Sequence, residues 1–151
     1  MPGMLTGKFF HSMDAKGRVK LPSLWEPALE NRFWLMTGIG KFLLVFSEPQ
    51  FEDFAKQIMQ LPMTDPNAHA LRLSFGSGAY NCELDKQGRF LIPQQLREFA
   101  GLEKDIVIAG AFSCGEIWDA KTWHEYHRQF ASGDSAEFKD LINAASQQYT
   151  I

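Results

Sequence analysis

The sequence predicts an α+β fold, predominantly β, in which two tandem repeats join into one pseudo-two-fold barrel with helices on its outside. Three observations predict it. The stretch Asp14-Ala-Lys-Gly-Arg18-Val-Lys-Leu-Pro22 returns as Asp85-Lys-Gln-Gly-Arg89-Phe-Leu-Ile-Pro93, with Asp, Gly, Arg and Pro all displaced by 85 − 14 = 71 residues. The same order of elements follows each copy. Neither half has enough strands to close a sheet on itself, whereas two halves together can close one and so remove exposed strand edges.

Each copy of the motif reads as strand, tight turn, strand. Phe9–Met13 leads into the first turn and Tyr80–Leu84 into the second. Gly17 and Gly88 stand where the turn needs positive φ, and Asp14 and Asp85 are placed to accept hydrogen bonds from turn amides. Pro22 and Pro93 end the strands, because proline has no N–H for a ladder. A short helix follows, anchored by Trp25 in the first half and Leu96 in the second. Pro27 keeps the first short, and Gly101 stops the second after Ala100. Two apolar strands come next in each half, Phe33–Thr37 with Phe42–Phe46, and Ile106–Ala109 with Glu116–Trp118.

A longer helix closes each half. Ser47-Glu-Pro-Gln50 has the form of a capping box, and Phe51, Phe54, Ala55, Ile58 and Met59 then share a face. Asp119 is the N-cap candidate for the second, whose stripe is Trp123, Tyr126, His127 and Phe130. Such stripes suit a core or a subunit contact better than a ligand box, and His124 and His127 read as helix-face residues without a metal or nucleophile partner. Between the halves, Asp65-Pro66 opens a helix carrying Ala68, Leu71, Arg72 and Phe75, which Gly76-Ser77-Gly78 breaks. Phe138, Leu141, Ile142 and Ala145 form a last helical stripe before a polar tail. The expected division is therefore 4–62 for the first repeat, 63–78 for the linker helix and turn, 79–131 for the second repeat and 132–151 for the C-terminal helix and tail, with one shared core. Met4 is as good a starting residue as Met1.

Composition limits the function. Hydrophobic residues make up 45% of the 151 and aromatics 13%, which marks an ordered domain and not a disordered tail. The net charge of −3 argues against nucleic acid only if the charge is spread evenly. It is not. Residues 1–20 hold Lys8, Lys16, Arg18 and Lys20 against Asp14 alone (4 − 1 = +3), and the remainder holds 11 bases and 17 acids (11 − 17 = −6). Cys82 and Cys114 have no metal-like spacing, so buried free thiols and a cytoplasmic protein are expected, with no cofactor. No apolar run approaches a membrane span.

With both Asp-x-x-Gly-Arg motifs and their prolines in place, together with Gly101-Leu102 and Glu116-Ile-Trp-Asp119, nearly the whole chain from Met4 resembles the MraZ family. These are bacterial transcription regulators of the division and cell-wall gene cluster, in the AbrB-like superfamily of swapped-hairpin DNA-binding barrels. The resemblance implies a nucleoid-associated homo-oligomer, a closed ring larger than a dimer, whose subunits contact successive short direct repeats in double-stranded promoter DNA. Two positions depart from the family pattern. Glu26 stands where members usually carry an arginine, and Ala68 and His69 stand among the linker arginines, of which Arg72 is matched. Both changes remove positive charge.

Strand alternation sends Arg18 and Lys20 one way and Val19 and Leu21 the other, with Lys16 at the turn. Three cations thereby gather at one hairpin edge, able to contact phosphates and base edges. The second copy offers Lys86 and Arg89, but Leu91 replaces its second cation and Glu83 flanks it, so the first copy is the better DNA surface. The candidate DNA contacts are Lys8, Lys16, Arg18, Lys20, Lys86 and Arg89; Asp14, Gly17, Asp85 and Gly88 serve the turns. The alternative role for Arg18 is an ion pair with Asp14.

Other functions are weighed against this one. An aspartic-protease dyad of Asp14 and Asp85 needs carboxylates close enough to share a proton, and Asp-Thr-Gly or Asp-Ser-Gly where this chain has Ala15 and Lys86. A single-motif AbrB-type regulator does not fit two motifs in one chain. A protein-interaction ring without DNA remains the third alternative.

Overall fold

The computed structural model describes residues 3–128 and 135–149. Among the described residues, eight strands and six helices follow one another in the order the repeat predicts. The first half contains β1 (Lys8–Ser12), β2 (Arg18–Lys20), α1 (Glu26–Leu29), β3 (Arg32–Thr37), β4 (Leu43–Ser47) and α2 (Glu48–Met59). The linker helix is α3 (Pro66–Ser77). The second half contains β5 (Ala79–Glu83), β6 (Arg89–Leu91), α4 (Gln94–Ala100), β7 (Asp105–Gly110), β8 (Gly115–Asp119) and α5 (Ala120–His127), and α6 (Ala136–Gln148) follows.

Local chemistry sets these boundaries. Ser47 caps α2 by accepting from the Gln50 amide at 3.4 Å, with Pro49 in the first turn. Asp65 caps α3 by accepting from the Asn67 amide. Gly101 ends α4 at φ 63°, and Leu102 N–H closes the turn onto the Arg97 carbonyl. Helix α1 is a single turn with Pro27 in its first turn, where proline is tolerated; it ends where Glu30 takes φ 59°, and a 3₁₀ turn over Ser23–Trp25 precedes it. Ser135 caps α6 through the Phe138 amide at 3.1 Å.

Six strands form one antiparallel sheet in the order β1-β7-β8-β4-β3-β5, and β2 pairs with β6 in a separate two-stranded ribbon. Exchanging each strand of one half for its counterpart in the other turns the six-stranded order into its own reverse. Registers agree as well: Ser12 faces Asp105 on one side and Glu83 faces Arg32 on the other. The pseudo-two-fold relation therefore extends to individual hydrogen-bonded pairs. The ladders among the described residues leave β1 and β5 as sheet ends, so a continuous closed barrel is not seen. Each motif's second strand leaves its own hairpin partner and pairs with the equivalent strand of the other half. Leu21 N–H donates to the Gly88 carbonyl, and Ile92 N–H to the Gly17 carbonyl, so each exchanged strand ends on the opposite turn.

One core serves both halves. Leu5, Val19, Leu21, Trp25, Leu29, Phe33, Leu35, Leu43 and Val45 pack with Phe90, Ile92, Leu96, Ala100, Ile106, Ile108 and Ile117. Phe33 meets Phe90 edge to face at 5.2 Å, and Phe9 meets Trp25 in the same way at 5.8 Å. Trp25 Nε1–H donates to the Thr6 carbonyl at 2.8 Å, which satisfies its polar end inside the core. Gly115 is required beneath this indole, because a Cβ there would come within 2.5 Å of Trp25 Cζ3.

Helices α2 and α3 enclose an apolar groove lined by Met36, Phe51, Phe54, Ile58 and Phe75. The C-terminal part, from Lys121 onward, forms a separate compact unit. Within it, His127 stacks on Trp123 at 3.6 Å and His124 is exposed. Leu141 and Ile142 of α6 are exposed as well. Phe130, the expected boundary at 131/132 and the end of the tail lie outside the described residues. Among the described residues, no helix is long and apolar enough to cross a membrane.

Candidate nucleic-acid interface

The β2–β6 ribbon places both copies of the motif on one surface. Arg18 pairs with Leu91, Val19 with Phe90 and Lys20 with Arg89. Val19 and Phe90 are buried, so the pleat turns Arg18, Lys20, Arg89 and Leu91 to the opposite, outer side. The sequence treats the two motifs as separate hairpins, yet Lys20 of the first and Arg89 of the second are direct cross-strand neighbours. Lys16 and Lys86 are exposed at the two turns. Lys8 is not part of this group. It begins β1, at the far end of that strand from the turn, with its ammonium 5.7 Å from the Phe10 ring centre.

Each turn is organised by its aspartate. Asp14 Oδ1 accepts from the Lys16 and Arg18 amides at 3.0 and 2.8 Å, and its Oδ2 pairs with Arg18 Nε at 2.8 Å. Asp85 Oδ1 accepts from the Gln87 and Arg89 amides at 2.8 and 2.9 Å, and its Oδ2 pairs with Arg89 Nε at 3.1 Å. Gly17 and Gly88 close the turns at φ 88° and 74°. The alternative role for Arg18, an ion pair with Asp14, is thus present. It uses Nε, and the Arg18 side chain keeps 36% of its surface exposed, so its aspartate orients it without covering it.

Arg89 does more than its counterpart. Its Nη1 also lies 3.9 Å from Asp14 Oδ2, so one guanidinium joins both aspartates. The two carboxylates are therefore linked through a cation that stands between them. Their protonation is the opposite of what a dyad needs. The Arg18 amide, with its side chain and the Lys16 amide, holds Asp14 below the ordinary carboxylate range; the Arg89 and Gln87 amides and the Arg89 side chain do the same for Asp85. Both are ionised at neutral pH and share a cation, not a proton. Burial pushes the free Cys82 thiol up to about 12; burial and the Glu116 carboxylate push half-buried Cys114 up to about 11, so neither thiol is poised as a nucleophile.

Two side chains occupy places the sequence does not indicate. Lys20 Nζ crosses the ribbon and donates to the Gln87 carbonyl at 2.9 Å, so its charge sits at the second turn and the first hairpin keeps two cations at its edge, not three. Arg72, the matched linker arginine, donates from Nη1 to the Met59 and Leu61 carbonyls at 3.0 and 3.4 Å, where it caps the C-terminus of α2. Alternation along a strand reveals which face a residue takes, but not which neighbour a long side chain reaches.

Comparison with known proteins agrees with the duplicated architecture. The family described as "MraZ protein, putative antitoxin-like" matches twice, over residues 4–73 and 75–143. A protein of Desulfitobacterium hafniense named transcriptional regulator MraZ is 39% identical over 140 residues, 93% of this chain and 98% of that one. Its namesake from Thermoanaerobacter pseudethanolicus is 42% identical over 142 residues, 93% of this chain and 99% of that one. A third, from Pelotomaculum thermopropionicum, is 43% identical over 129 residues, 85% of this chain and 89% of that one. The relatives bear the name of a regulator, not of an enzyme. The chain belongs to the MraZ family.

Proposed function

We propose that this chain is a sequence-specific, DNA-binding transcription regulator that reads short direct repeats in its own promoter as a ring of identical subunits, in the cytoplasm at the nucleoid. The observation that carries the reading is the outer face of the β2–β6 ribbon, where Arg18, Lys20 and Arg89 stand together on an otherwise acidic protein. A two-stranded ribbon fits the major groove, and an arginine held by its Nε side still has Nη donors for a guanine edge. Lys16 and Lys86, exposed at the two turns, flank the ribbon and supply cations for phosphate contacts.

Assembly supplies the affinity that one ribbon lacks. A subunit with a net charge of −3 and a few cations on a short ribbon binds weakly on its own. Several ribbons on one face of a ring, spaced like the promoter repeats, raise the effective concentration of each contact. The apolar groove between α2 and α3 and the exposed Leu141 and Ile142 supply surface for subunit contacts. In the ring, the exchanged ribbon of each subunit faces the DNA.

The experiment is a fluorescence-anisotropy titration of DNA from upstream of the protein's own gene against a scrambled fragment, at about 0.15 M salt. Preferential binding of the upstream fragment is expected. Equal affinity for both fragments, or binding of neither, contradicts the proposal.

A further inference from the structure

The exchange of strands carries an exchange of neighbours around the two turns. A Cβ added to Gly17 would stand 2.7 Å from Arg97 Cζ, whereas one added to Gly88 would stand 3.1 Å from Lys20 Nζ and 3.3 Å from Glu26 Oε1. Arg97 belongs to α4 of the second half, yet it lies over the turn of the first. Glu26 belongs to α1 of the first half, yet it lies over the turn of the second. The two occupy equivalent places in their repeats, one after the buried anchors Trp25 and Leu96, and they carry opposite charge.

We infer that these crossed neighbours polarise the DNA-facing surface: Arg97 adds a cation to the first turn, and Glu26 restricts DNA contact at the second by opposing Lys20 across Gly88. The inference rests on the DNA-binding reading above and names the residues that set which turn engages the backbone. Arg97 is held in place by Nε donating to the Ile92 carbonyl at 2.9 Å, and it lines an open hollow beside Asp14 and Ala15, together with Glu103 and Lys104. Its guanidinium thus joins Lys16 and Arg18 around one turn. At the other turn, the Lys20 ammonium donates to the Gln87 carbonyl and the Glu26 carboxylate flanks the same glycine, so a negative charge stands at the turn where that cation would meet a phosphate. Lys86 and Arg89 stay on the side of the ribbon that Glu26 makes less attractive to phosphate. Because the helix of each half guards the turn of the other, this charge pattern is set by tertiary exchange and is invisible within either repeat.

The test is a salt titration of binding to the upstream DNA fragment by the parent, Glu26→Gln and Arg97→Gln, with oligomer size and melting temperature measured on each. Glu26→Gln is expected to tighten binding several-fold at low salt and to steepen the slope of log K against log salt, by roughly 1 per engaged subunit. Arg97→Gln should weaken binding and flatten the slope by a similar amount, with Arg97→Lys restoring the slope. Unchanged slopes in folded Glu26→Gln and Arg97→Gln overturn the inference while leaving the DNA-binding proposal standing, provided the parent binds. A parent that does not bind the fragment instead overturns the proposal on which the inference rests. A purely structural role for Arg97 would lower the melting temperature without moving the slope, and that result also overturns the inference.

Discussion

The first and second hairpins are built on the same plan and differ in what their cations are committed to. In the first, Asp14 holds Arg18 through Nε alone, and Lys16 and Arg97 surround the turn. In the second, Arg89 is shared between Asp85 and Asp14, and Glu26 sits beside Lys20 over the turn. Duplication supplied two copies of one cation-bearing device. The exchange of strands then placed both on a single ribbon, and substitutions around them separated the roles. The first motif presents charge, while the second ties the two turns together.

Perturbing the ribbon's buried face gives the largest expected effect, and it should not distinguish the hairpins. Phe90→Ala removes a ring packed against Phe33 and should destabilise the protein by about 3–5 kcal/mol. Val19→Ala, its cross-strand partner, should cost about half as much, in proportion to the smaller side chain. Denaturant unfolding of both variants measures the difference. If Phe90→Ala were as mild as a surface substitution, the ribbon would not be anchored in the shared core.

The turn glycines come next, and here the hairpins should part. Gly17→Ala and Gly88→Ala both force a side chain into positive φ and should each lower stability by roughly 1–2 kcal/mol. Gly17→Ala also displaces the Arg97 guanidinium and should weaken DNA binding, whereas Gly88→Ala displaces Lys20 and Glu26 together and should leave it nearly unchanged. Melting curves and anisotropy on the same samples check both expectations.

Acid gives the smallest effect. Asp14 and Asp85 ionise below the ordinary carboxylate value of 3.8 because turn amides and their arginines favour the charged form. A carboxylate with a depressed folded pKa contributes stability above its unfolded pKa and loses it as pH falls through the folded value. Both turns should therefore keep their contribution down to about pH 4 and lose it below. Asp14→Asn and Asp85→Asn should each flatten the acid limb of a stability-against-pH curve. Asp14→Asn should flatten it more if the contact with Arg89 adds to that with Arg18.

How much of this was legible in the sequence depends on range. Caps, turns and strand alternation are local, and Ser47, Asp65, Gly101, Gly17 and Gly88 could be assigned from a few neighbouring residues. The repeat also carried the pseudo-two-fold relation, since equivalent strands must find equivalent neighbours. What stayed hidden is pairing between halves. Alternation put Arg18 and Lys20 on one face but gave no sign that Arg89 stands across from Lys20. The same blindness covers Arg97 over Gly17, which needs β2 and β6 to be exchanged, and Arg72, whose helical position does not reveal that α2's last carbonyls lie within reach. Lys8 joins the candidate contacts by charge alone; the structure places it at the end of β1 away from the turn.

The division of labour between the hairpins is tested most directly by Arg18→Ala against Arg89→Ala. Each is titrated with upstream and scrambled DNA across a range of salt, and its oligomer size and melting temperature are recorded. A base contact worth about 1–3 kcal/mol in each subunit, repeated around a ring, predicts that Arg18→Ala loses at least ~100-fold in affinity for the upstream fragment while remaining folded and assembled. Arg89→Ala, which frees two aspartates at once, should lower the melting temperature and weaken binding less. A folded Arg18→Ala protein that binds like its parent, or an intact Arg89→Ala oligomer that loses more binding than Arg18→Ala, would show that the second hairpin reads the DNA.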